Sequence, residues 1–194
     1  MNNESRVLFF FISLFLANNS INAQVRKIDT SFKMNGVGYR VTCSNKSADQ
    51  NTVSITPLGF KSEGSREIDF PIKGIVGKAA IDDLNDDGYP DLLIFMYGGL
   101  NGVIGNVIGI SSEENKSLAQ IYFPDIYNDP KLRDGYKGHD EFTLMVGTLL
   151  RSFPIYKPDD TIDNPTGGKR FVQYKVMPDE GHLSFKVLRS YETH

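Results

Sequence analysis

The stretch KRFVQYKVMPDEGHLSFKVLRS, residues 169–190, alternates apolar and polar side chains in two runs with a turn between them. Val172, Tyr174 and Val176 stand against Gln173 and Lys175, and Leu183, Phe185 and Val187 against Ser184 and Lys186. Successive side chains of an extended chain point to opposite faces, so each run offers one face to a core and one to water. Pro178, Asp179, Glu180 and Gly181 supply turn chemistry, and the segment predicts an antiparallel hairpin. The same period of two recurs at Val53 and Ile55 among Thr52, Ser54 and Thr56, and in 142–146 and 149–153 around Gly147 and Thr148. No stretch sustains a helical period. Eighteen glycines and nine prolines among 194 residues punctuate the short apolar runs. The expectation is an all-β chain, an antiparallel β-sandwich with long loops and little helix. Residues 124–140 and 157–168, rich in proline, glycine, tyrosine and charge, are too long for plain connections and read as functional or mobile loops.

At the N-terminus Arg6 precedes the apolar stretch Val7–Ala17, broken only by Ser13. A membrane-spanning helix needs about 20 apolar residues, so this stretch is too short to anchor. Polar Asn18–Asn22 and the small Ala23 follow, and residues 1–23 read as a cleavable signal peptide. Residues 24–194 then form a single domain, exported to a periplasm or secreted, with no membrane anchor. The formal charge of −3, with basic residues dispersed, counts against nucleic acid as a partner, because phosphate binding needs a clustered basic surface. Cys43 is the single cysteine, which rules out an intramolecular disulfide. Its alternation with Tyr39 and Val41 marks it as a small buried hydrophobe.

The most specific chemistry lies in DLNDDGYPD, residues 83–91. Counting Asp83 as the first position, oxygen side chains fall at the first, third, fifth and ninth (Asp83, Asn85, Asp87, Asp91). Gly88 takes the sixth, and the Tyr89 carbonyl the seventh. Those offsets turn successive oxygens of a tight loop onto a hard cation, and calcium accepts such a mixed, flexible oxygen set. An EF-hand would place a bidentate glutamate at the twelfth position, where this chain has Ile94 inside the apolar run Leu92–Phe95. The order is therefore strand, acidic loop, strand. It resembles the calcium loops of FG-GAP or VCBS-type repeats, present here once. A bare turn around Asp87–Gly88 is the alternative.

From Tyr39 to about Ile121 the chain runs through a strand, a pair of strands around SITPLGF, the acidic loop, the apolar DLLIFMYGG and a glycine-rich loop. With GYKGHDEF at 135–142, RSFPIYKPDD at 151–160 and PTGGKR at 165–170, this order resembles the periplasmic inhibitors of invertebrate-type lysozyme. The resemblance implies a β-sandwich that blocks a lysozyme by inserting a loop into its cleft. The matching loop is Tyr97, Gly98, Gly99, Leu100, Asn101 and Gly102, with Tyr97 or Asn101 offering polar contacts. It carries no serine, whereas the family's loop is serine-rich.

An enzyme finds little support. His139, Asp140 and Glu141 are neighbours whose side chains alternate in direction, His182 and His194 lack zinc spacing, and no phosphate loop or nucleophile elbow occurs. A third class is a calcium-stiffened cell-surface or adhesion module that touches glycan or protein through Tyr122, Phe123, Tyr127 and Tyr136.

Overall fold

The computed structural model describes residues 27–61 and 65–193, so the expected signal peptide lies outside the described residues. Its first sheet is antiparallel, in the order β1 (Ile28–Met34), β2 (Val37–Cys43), β3 (Asn51–Leu58), β4 (Ile68–Ile72). The second has eight strands. β5 (Ile75–Asp82), β6 (Asp91–Gly98), β7 (Ile104–Glu113) and β8 (Ser117–Tyr122) run on in space into β12 (His182–Thr193), β11 (Lys169–Asp179), β10 (Thr148–Pro154) and β9 (Glu141–Met145). The two expected hairpins are β11–β12 and β9–β10.

The chain is all-β, with only single-turn helical segments among the described residues. It departs from a plain antiparallel sandwich in the second sheet. There β8 and β12 pair in parallel at Leu183–Ile121 and Ser184–Tyr122, and the two outer strands approach each other. Lys78 Nζ on β5 donates to the Phe142 carbonyl on β9 at 2.8 Å, so the sheet curls into a nearly closed barrel around its own core. A parallel pair needs a long return connection, and that connection is itself built into β9, β10 and β11. Alternation within single strands carries no signal for such a non-local pairing.

Two cores result, and β6 serves both. Leu92 and Ile94 face the first sheet, packing with Tyr39, Val41, Val53 and Ile55. Leu93 and Phe95 face the barrel interior, with Phe142, Phe153, Tyr174 and Phe185. All four residues of Leu92–Phe95 are fully buried, which is why this strand reads as a continuous apolar run instead of alternating.

The long segment before β9 closes one end of the barrel. Ile126, Leu132 and Tyr136 enter the barrel core, and Arg170 Nη1 donates to the Leu132 and Asp134 carbonyls at 2.8 and 2.7 Å. Asp125 and Asp129 accept from the backbone N–H of Tyr127 and Lys131, so the connection is pinned at several points along its length. The second long loop folds around Asp160, whose carboxylate accepts from Lys157 N, Thr166 N and Thr166 Oγ1. Those bonds hold it below its ordinary pKa.

Inside the barrel lies a buried ion pair. Arg151 and Asp140 are 2 % and 5 % exposed, with Nε donating to Asp140 Oδ1 at 2.6 Å. Tyr136 Oη and Gly105 N donate to Asp140 Oδ2 at 2.5 and 2.6 Å, and Arg151 Nη2 reaches Tyr136 Oη and the Gly105 carbonyl. The rings of Phe123, Tyr136, Phe142 and Phe153 surround the guanidinium at 5.2 to 5.8 Å. Burial works against the charge on Arg151, but the bonds and charge of Asp140 outweigh it and raise the pKa, so the guanidinium stays protonated.

Candidate functional site

The two sequence-predicted sites stand at opposite ends of β6. Asp91 opens the strand and Gly98 closes it; eight extended residues span about 25 Å, so the acidic loop and the glycine-rich loop do not touch.

At the first end the acidic loop folds on its own backbone. Asp83 Oδ1 and Oδ2 accept from the N–H of Asp87 and Gly88 at 3.0 and 2.8 Å, and Asn85 Oδ1 accepts from the same Asp87 N–H at 3.3 Å. Asp87 Oδ1 accepts from Tyr89 N at 2.8 Å. Gly88 has φ +84°, the left-handed conformation that the sharp bend requires. Oxygens of Asp83, Asn85 and Asp87 therefore collect around successive N–H groups of one turn. Asp82 accepts from Gly147 N and Asp86 pairs with Lys175, which ties the loop to β11 and to the β9–β10 turn.

Asp91 is placed differently from the other named oxygens. It is fully buried and accepts from Leu84 N at 2.9 Å and Ser112 N at 3.2 Å, a structural cap between the loop and β7. Burial, with a smaller contribution from the Asp87 charge, pushes its pKa up to about 6. Tyr39 Oη donates to the Pro90 carbonyl at 2.7 Å and binds the first sheet to the same corner. Among the described residues no three His, Cys, Asp or Glu side chains group as metal ligands. All four side chains expected to hold a hard cation, Asp83, Asn85, Asp87 and Asp91, thus accept from backbone N–H groups, and Asp91 differs from the rest in being buried.

At the other end the six residues of the glycine-rich loop separate. Tyr97 is half-buried and turns into the barrel, its ring 6.3 Å from Phe142, and burial together with the charges of Asp140 and Glu141 raises its pKa. Gly98 is buried against Lys73 and Gly74. Gly99–Gly102 project. Gly99 at φ +71°, ψ −169° occupies a region open essentially to glycine alone, Asn101 and Gly102 are left-handed, and Gly102 N closes the turn on the Gly99 carbonyl at 3.1 Å. Leu100 stands at the tip, 85 % exposed. His139 N donates to the Val103 carbonyl at 2.7 Å, so the segment leading to the buried Asp140 buttresses this turn.

His139, Asp140 and Glu141 do not gather into a dyad. His139 is exposed, Asp140 is inside the barrel, and Glu141 points out to Lys169. Arg151 is not among the residues expected at a site, although Leu149 and Phe153 flank it on the inward face at a spacing of two. The chain matches no family model, no curated protein and no solved structure.

Proposed function

We propose that this chain is an exported, non-catalytic binding protein that presents the turn Gly99–Gly102 to a protein partner, the partner being a lysozyme. One observation carries this reading: a large apolar side chain, Leu100, held in water at the tip of a hydrogen-bonded turn between two core strands. Burying a leucine contributes about 1.5–3 kcal/mol, and a pre-ordered turn adds little ordering cost on binding. The choice of partner rests on the resemblance of the motif order to that of the lysozyme inhibitors. Polar contact from this loop comes from Asn101, since Tyr97 is committed to the barrel. Calcium, with Asp83, Asn85, Asp87, Asp91 and the Tyr89 carbonyl as its candidate ligands, is the proposed structural ion. It would stiffen the far end of β6 and take no part in contact.

The test is inhibition of cell-wall lysis by a panel of lysozymes. The exported chain is expected to inhibit at least one, and Leu100→Ala to weaken it about tenfold or more with an unchanged melting temperature. Absence of both inhibition and capture by the unaltered chain would end the proposal.

A second reading, an adhesion module, draws on Tyr127, half-exposed beside Pro130, Arg133 and Asp134 in an open depression of about 780 Å³. Phe123 and Tyr136 pack inward, so Tyr122 and Tyr127 remain as its contact rings. Retention on peptidoglycan or host glycans that Tyr127→Ala abolishes would favour it.

A further inference from the structure

The turn Gly99–Gly102 is too small to be a whole interface. A stable complex engages about 20–30 residues of each partner, and the turn supplies four. Contact must spread onto a flank, and the two flanks differ in shape and charge. On one side lies Lys73, in the two-residue link between β4 and β5. A Cβ at Gly98 would lie 2.6 Å from the Lys73 carbonyl, so the link packs against the base of the turn. Two depressions meet there. One, of about 520 Å³, is lined by Asp49, Gln50, Lys73 and Gly99; the other, of about 350 Å³, by Phe70, Lys73, Met96, Gly99 and Ile104. Lys73 is exposed, and its ammonium is in no ion pair among the described residues. On the other side stands His139, whose N–H bonds the Val103 carbonyl. Behind it Lys137 Nζ donates to the Asp160 carbonyl at 3.2 Å and Tyr156 Oη to the Ile162 carbonyl at 3.0 Å, which brings Asp159, Asp160 and Asp163 to that flank.

We infer that Lys73 is the second contact of the partner-binding surface and pairs with a carboxylate at the rim of the partner's cleft, an assignment that rests on the turn entering a lysozyme. A glycosidase holds a pair of Asp or Glu carboxylates across the bond it cleaves, so its cleft is acidic. The inserted element adds no repulsion to such a site, because residues 92–112 carry no charged side chain. Lys73 stands at the base of the turn and not at its tip, so the ammonium meets the rim when Leu100 is inside. The flank of Asp159, Asp160 and Asp163 meets the same acidic surface unfavourably. One flank is attracted and the other repelled, which fixes the way round in which the turn enters. Charge at a rim acts chiefly on the rate of encounter and on orientation, and salt screens it.

The test is the kinetics of association, at low and high salt, with a lysozyme that the unaltered chain inhibits. Lys73→Gln is expected to slow association at low salt and to flatten its salt dependence. Lys73→Glu should weaken binding about tenfold or more with an unchanged melting temperature. Lys137→Glu makes the same change of charge on the opposite flank and is expected to alter affinity less than about threefold. Association and salt dependence unchanged in Lys73→Gln, or equal losses in Lys73→Glu and Lys137→Glu, overturn the inference and leave the Leu100 turn standing. A chain that neither inhibits nor captures any lysozyme takes both down. If Lys73→Glu melts early, the neutral glutamine variant decides.

Discussion

Replacing Asp140 with asparagine removes one charge from the barrel interior and leaves the Arg151 guanidinium buried without its counter-ion. The Asp140 carboxylate accepts three bonds, from Arg151 Nε, Tyr136 Oη and Gly105 N, at 2.5 to 2.6 Å. An asparagine of the same shape presents an N–H₂ where one of those acceptors stood, so a donor meets a donor. Breaking a buried pair by removing one partner costs about 3–5 kcal/mol. For a domain of this size each kcal/mol moves the melting temperature by about 2–4 °C, so Asp140→Asn should melt about 6–20 °C lower. Thermal unfolding followed by circular dichroism reads the shift. Asp140→Asn combined with Arg151→Met removes both charges and is expected to recover part of the loss, because a buried pair and an apolar pair of similar volume are often of comparable stability. A single variant within about 3 °C of the wild type, or a double variant no better than the single, would refute the account of the barrel core.

Gly105→Ala tests the same cluster sterically: its Cβ would lie 2.6 Å from both Asp140 Cβ and Phe142 Cε2, and urea unfolding should show a loss of about 1–3 kcal/mol. Asp91, raised to about 6 from its ordinary 3.8, holds a proton in the folded state that the unfolded chain releases between those values. Its contribution to stability in chelator therefore falls as pH rises through that window, by at most about 3 kcal/mol, and is flat above it. Asp91→Asn should remove that slope from the melting profile, and an unaltered slope would contradict the assignment. Calcium at about ten times its dissociation constant should raise the melting temperature by about 3–6 °C, and Asp83→Ala should abolish the response. An isothermal titration without heat of binding would count against the ion.

How much of this was readable beforehand depended on whether a signal was local. The hairpin at 169–190 follows from Val172, Tyr174 and Val176, which do line the barrel, and β6 from an apolar run too short for a membrane. The parallel contact of β8 with β12 leaves no mark in either strand, because it joins segments about sixty residues apart through a return connection. Arg151 had a local mark, a charge at the inward position between Leu149 and Phe153, but its partner Asp140 sat beside a histidine that suggested chemistry instead. For the acidic loop the spacing located the oxygens but not their partners. Asp91 matches a ligand position in number and serves as a backbone cap in space.

Because Leu92 to Phe95 have no side turned to solvent, opening either core would bare one face of β6. The barrel and the layer beside it are therefore coupled through that strand. The amides along β6 should exchange with deuterium only when the whole domain comes apart, whereas the Leu100 turn can fray without disturbing either core. A one-position slip of β6 would exchange the contents of the two interiors, an error that no local adjustment repairs.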